Sequence, residues 1–310
     1  MSVLPPRPKA IIDAHHHIWD LANDIPWLKH KRVPFRYGDY STICHNYMPA
    51  DYRADTAGWP VTGSVYVEAE WNRASAAQES RWVAAIAAQT GVPSAMVAWC
   101  DLASANAGEL LSSYTSIPIV RGIRHKPAAV SSPADARRGT AGSMDDPAWR
   151  KGYALLAQTG LTYDLQTPWW HLDAASDLAR DFPDTHIIIN HTGLPADRSP
   201  DALAAWRKAL EIAAAQPNVA IKISGLGQPG RPWTAEANAP VIRDAIAIFG
   251  IDRAMFASNF PVDKLMSDFD TIFSGFLIAT ADCTEVERDK LFHDNAARFY
   301  RLQSVRLQIK

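Results

Sequence analysis

Short β-rich apolar runs recur along the chain, and most are followed by a stretch whose apolar positions have helical spacing. Runs at 11–15 (IIDAH), 64–68 (SVYVE), 95–100 (AMVAWC), 119–123 (IVRGI), 161–165 (LTYDL), 186–190 (HIIIN), 219–223 (VAIKI) and 254–258 (AMFAS) predict strands. The patterns between and after them predict helices over 76–89, 104–113, 147–159, 172–181, 200–215, 238–249, 267–279 and 285–296. Asp146 before Pro147 and Ser199 before Pro200 each put a capping side chain ahead of a proline at the first helical position. Strands alternating with helices predict parallel βα units, and eight of them match an α/β fold of the TIM type, a single (β/α)8 barrel over 1–310. A doubly wound open sheet is the alternative, but no GxGxxG turn follows the first strand. Three segments interrupt the alternation: 21–63, 126–146 and 225–237. Each leaves a strand C-terminus, so each is expected as a long loop over the C-terminal face, with 21–63 crossing the barrel mouth.

Barrel enzymes place their chemistry at the strand C-termini. Read in order, those ends hold His15 and His17, Glu68 and Glu70, Asp101, Arg124 and His125, Asp164 and Gln166, His191, Lys222 and Ser224, then Asn259 and Asp263. Side chains alternate along a strand, so His15 and His17 share a face while His16 points away. Two imidazoles on one face make half of a metal site or an acid/base pair. The plainer alternatives are surface histidines, a salt bridge in the barrel mouth for Arg124 and an ion pair beneath the site for Lys222. Trp169 and His171, in the TPWWHL segment, are candidates for the pocket wall or for ordinary loop packing.

Composition narrows this picture. The 310 residues are 47% hydrophobic and 21% charged, with a formal net charge of −2, which gives no reason to expect nucleic acid or an anionic membrane as partner. Cys44, Cys100 and Cys283 are few and lack a CxxC pairing, as expected for free thiols in a reducing cytoplasm. The opening MSVLPPRPKA has no apolar signal core, and no run reaches the ~18 apolar residues of a membrane helix. The expected partner is a small molecule; a homo-oligomer is compatible with the sequence, since an assembly patch reads like a barrel-helix face.

HxH after the first strand, RGIRH at 121–125, NHTG at 190–193, KISGLG at 222–227 and MFASNFPVD at 255–263 together resemble the amidohydrolase superfamily. The closer likeness is to its lactonase-like branch, which includes L-fuconolactonase and 2-pyrone-4,6-dicarboxylate lactonase. The resemblance implies a distorted barrel and a site built from an HxH pair, a later histidine and a strand-8 aspartate, here His15, His17, His191 and position 259. That position is Asn259, in Ser-Asn-Phe-Pro where the family usually has Ser-Asp-Trp/Phe-Pro. An amide accepts a hydrogen bond but cannot take a proton from water. A general base must then be another group: Asp263, the nearer, Glu68 or His191. A divalent metal, Zn2+ first, would take His15 and His17 with Glu68, His191 or Asp263 as third ligand; metal-free hydrolysis is the other expectation. The implied reaction is attack of water on a lactone carbonyl, with Arg124, His125 or Lys222 stabilising the oxyanion or binding a substrate carboxylate, and Asp164, Gln166, Trp169 and His171 as further substrate contacts. The alternatives are a metal-dependent decarboxylase, which as a rule keeps the strand-8 aspartate, and a non-catalytic barrel that binds a sugar acid.

Overall fold

Residues 5–302 are described by the computed structural model. Eight strands, Ile11–His16 (β1), Val61–Val67 (β2), Ala95–Trp99 (β3), Val120–Arg124 (β4), Thr162–Leu165 (β5), Ile187–Ile189 (β6), Val219–Ile223 (β7) and Ala254–Phe256 (β8), pair in chain order. Every pairing is parallel, and helices flank the sheet, so the expected TIM-type barrel is what forms. Strand alternation splits the core. Ile12, Ala14, Val65, Val67, Ala95, Val97, Ile188, Ala220 and Met255 fill the barrel interior, joined by Tyr300 from the C-terminal segment. Their neighbours in sequence, such as Tyr66, Met96, Ile187 and Ile221, pack against the helices in a larger cluster. No helix among the described residues is long and apolar enough to cross a membrane.

The ring closes differently from the other pairings. β8 and β1 meet through a single bridge, His16 to Phe260, flanked by hydrogen bonds from the Asn259 N–H to the His15 carbonyl and from the His17 N–H to the Phe260 carbonyl, both 2.7 Å. Below them Asp13 staples the seam. Its carboxylate accepts from the Ser258 N–H at 2.8 Å, the Ser258 hydroxyl at 2.6 Å and the Tyr52 hydroxyl at 2.9 Å. Asp13 is fully buried, so its removal strands these donors, and the His15 N–H that donates to Oδ1 at 3.3 Å, away from water. Asp13→Ala is expected to lower stability by about 2–4 kcal/mol, read as the urea midpoint. An unchanged midpoint would mean that the staple does not hold the seam.

Most expected elements form with ends moved by one to three residues. Two differ in kind. The helix expected over 147–159 is two, Pro147–Tyr153 and Leu156–Thr159, and the one expected over 285–296 is interrupted by a π turn at Lys290–Asp294. The 21–63 excursion contains a helix, Pro49–Asp55, that the pattern does not signal: only Pro49 and Tyr52 are buried, too few to make a stripe.

Candidate active site

The histidines owe their aim to an irregularity in β1. Ile12 and Ala14 point into the barrel, and simple alternation would send His16 after them. The register with β2 slips between Asp13 and His16, and such a bulge re-aims the side chains beyond it. His16 therefore turns outward and stacks on Tyr52, ring centroids 4.2 Å apart. His15 turns inward, 5.1 Å from the His17 ring and 4.6 Å from that of His191, which follows β6.

Burial keeps all three imidazoles neutral. It lowers His17 to about 4, helped by the charge of Arg124, and takes His15 and His191 well below the ordinary histidine value. His17 Nδ1 lies 2.8 Å from the Val67 carbonyl, which only accepts, so Nδ1 carries the proton and Nε2 the lone pair. His191 Nδ1 lies 3.0 Å from the Ser224 hydroxyl. His191 and Asn259 both have left-handed backbone, φ 52° and 57°. Such strain in non-glycine residues concentrates at functional sites. Gly225 makes room beside them: a Cβ there would stand 3.0 Å from the His191 Cβ.

Opposite the histidines, Glu68 and Arg124 form a buried pair, Nε to Oε1 at 2.8 Å, with Arg124 also donating to the Glu68 carbonyl at 2.6 Å and to Gln166 Oε1 at 2.9 Å. The other carboxylate oxygen accepts from Arg73 and from the Glu70 N–H, both at 2.9 Å. Burial alone would raise the Glu68 carboxyl, but the guanidiniums of Arg124 and Arg73 hold it far below the ordinary range. Asp263 is shifted the other way. Burial raises it against the charge of Arg36, 3.9 Å away, while the Asn259 amide donates to its Oδ1 at 2.7 Å and the Tyr37 hydroxyl at 3.0 Å.

These groups meet in a cavity of about 250 Å3, near the small end of ligand pockets. Its polar wall holds His17, Glu68, Arg124, Gln166, His191 and Asn259, and its aromatic wall Trp19, Trp27 and Phe35. Arg36, Glu70 and Lys126 also line it. Much of this comes from the 21–63 excursion, which covers the mouth as its position after β1 implies. The segment is expected to cross the barrel mouth, but without periodicity nothing singles out Trp27, Phe35 or Arg36.

Five expected substrate contacts stand elsewhere. Lys222 and Asp164 form an ion pair inside the barrel, both fully buried, and Asn190 and Tyr300 also donate to Asp164. His125 faces the helix layer, where its Nδ1 accepts from the Leu102 N–H at 3.0 Å and its ring sits beside Trp149. His171 Nε2 accepts from the Val130 N–H at 3.2 Å, pinning the 126–146 loop, and Trp169 packs on Trp170 and the core. Asp263 does not line the cavity; Asn259 stands at the wall and is hydrogen-bonded to it.

A catalytic zinc commonly needs three protein ligands whose lone pairs meet at one point. Among the described residues no three His, Cys, Asp or Glu groups do so. The donor set explains this. Both Glu68 oxygens are held by arginines, the strand-8 carboxylate is an amide, and Asp263 is engaged by Asn259 and Tyr37. His15 has both ring nitrogens buried without a partner, but it lacks the two converging companions. As arranged, the residues do not fit the expected site of His15, His17 and Glu68.

A (β/α)8 barrel with buried imidazoles, a fixed guanidinium and an aromatic wall gathered at one end is the framework of a barrel enzyme. The chain belongs to the amidohydrolase family, whose model matches residues 12–302. It is 42% identical to an uncharacterised Sinorhizobium fredii protein, y4mH, over 94% of this chain and 99% of that one. It is 27% identical to an L-fucono-1,5-lactonase of Burkholderia ambifaria, over 94% and 95%. A Burkholderia multivorans amidohydrolase solved with bound zinc superimposes with a TM-score of 0.79 at 26% identity, over 95% of this chain and all of the other.

Proposed function

We propose that the protein hydrolyses a lactone by direct attack of water on the ring carbonyl. The observation that carries this reading is a neutral imidazole, His191, in the wall of the same small cavity as a guanidinium locked by Glu68 and Gln166. With Ser224 accepting from Nδ1, Nε2 of His191 takes a proton from water while the Asn259 carbonyl oxygen holds the water's other hydrogen. The new C–O bond pushes the carbonyl electrons onto an oxygen facing Arg124, whose N–H groups already have their direction fixed. Collapse breaks the ring C–O bond, and the departing oxygen takes the proton back from His191. Asp263 is a positioning residue, orienting the Asn259 amide, and Glu68 positions Arg124. The likeness to a lactonase at 27% identity supports the reaction class.

The product is a hydroxy acid that ionises at neutral pH, so each turnover releases a proton. Indicator assays on aldonolactones, muconolactones and pyrone carboxylates are expected to show proton release above the spontaneous rate on at least one. Because the donor set does not fit a three-ligand zinc site, chelator-treated enzyme is expected to keep its rate within about twofold. Loss of activity on chelation with recovery on zinc would overturn the metal-free route. Silence across the panel, with CO2 release from unsaturated carboxylic acids, would replace hydrolysis by decarboxylation.

A further inference from the structure

Glu70, in the turn after β2, shares two properties with His191 and Asn259: it lines the cavity and its backbone is left-handed, φ 56°. The reaction above gives it no task. Its carboxylate pairs through Oε1 with the ammonium of Lys126, which also lines the cavity. That contact leaves Oε2 and two ammonium hydrogens for a ligand. The pair is held in register with the reacting groups, because the Glu70 N–H donates to Glu68 Oε2 at 2.9 Å. It is also in register with the aromatic wall: the Trp27 indole N–H donates to the Ala69 carbonyl at 2.9 Å, and Trp27 stacks on Phe35 at 5.8 Å with an interplanar angle of 10°. One turn, 68–70, thus ties together the guanidinium clamp, a charged pair and a flat ring.

A hydroxyl both donates and accepts. Two neighbouring hydroxyls on a saturated ring match a carboxylate beside an ammonium, one donating to Glu70 and the next accepting from Lys126, while the ring's C–H face lies on the indole. A planar ring bearing ionised carboxylates only accepts hydrogen bonds, so it would leave the free Glu70 oxygen without a donor. We propose that Glu70 and Lys126 are specificity residues that read a vicinal diol on a polyhydroxylated lactone, with Trp27 as the platform. This rests on the lactonase reading of the same cavity.

The test compares a polyhydroxylated δ-lactone with its dideoxy analogue on wild-type protein, E70A and E70G, the glycine variant relieving the backbone strain so that folding is secured. Losing a hydrogen bond to a charged group is expected to raise KM for the polyhydroxylated lactone roughly 10- to 100-fold, with kcat within about threefold and the dideoxy lactone little affected. A fall in kcat on both lactones, or unchanged KM on both, would overturn the assignment. If wild-type protein opens neither ring, the lactonase reading fails separately, and titration calorimetry with a polyhydroxylated δ-lactam decides the pair. Weaker binding to both variants than to wild type would uphold the diol reading; equal affinity, or no binding to any of the three proteins, would reject it.

Discussion

His191→Asn is expected to lower kcat on the best lactone by roughly 10²–10⁴-fold, the usual contribution of a general base, with KM changed only a few-fold. Asparagine is the replacement to use because it tolerates the left-handed backbone, φ 52° at this position. Its amide can also keep a hydrogen bond to the Ser224 hydroxyl, so the fold loses little and the rate loss reports the missing imidazole. An unchanged melting temperature with the expected fall in kcat would place the base at His191. A rate within about threefold of wild type would remove His191 from that role. A general base works best with a pKa near the working pH. His191, held low by burial and by the charge of Arg36, is a weak base that is always available, which suits an activated ester better than an amide.

How far the sequence reached is seen in particular residues. Alternation along β1 correctly paired His15 with His17 and turned His16 away, but it did so only because a bulge reset the phase after Ala14. The same rule, applied at β4, would have sent His125 to the helix layer once Arg124 was taken as inward. Depth was harder to read. Asp164 and Gln166 share a face, yet Gln166 reaches the cavity while Asp164 sits one layer lower, paired with Lys222 in the packed interior. A strand's sequence gives the side a residue faces; its height is set by stagger around the barrel, which depends on the other strands. Trp169 and His171 take the loop-packing alternative for another reason. Their turn anchors the 126–146 loop through Val130, a contact between two segments that carry no periodic signal. Trp27 and Phe35 lay in such a segment too, so the mouth covering was legible while its lining residues were not.

Arg124→Met should cost the most stability of any single change at the site, about 3–5 kcal/mol, because it leaves the Glu68 carboxylate buried with Arg73 as its remaining ion-pair partner. Arg73 is 42% exposed, and a half-solvated guanidinium is a weaker counter-charge than one enclosed with its partner. The pH dependence gives the loss a signature. In the wild-type protein Glu68 is held below its unfolded value, near 4.3, so its contribution is complete above that pH and is lost as pH falls through the depressed folded value. Without Arg124, burial, the largest influence on this carboxyl, is opposed by less positive charge, so the folded value rises and the variant loses less stability than wild type as pH falls. The stability gap between the two proteins is therefore expected to narrow from pH 7 towards pH 4, measured by urea midpoints at each pH. A gap independent of pH would mean that packing, not charge, holds the pair together. Adding Glu68→Gln to the Arg124→Met variant removes the stranded carboxylate and should recover more than half of the lost stability at pH 7. The double variant is nonetheless expected to stay catalytically impaired by roughly 10²-fold or more, because the oxyanion has lost its fixed donor. Recovery of both together would show that the guanidinium serves only the fold, whereas stability returning without activity separates the two tasks of Arg124 in one experiment.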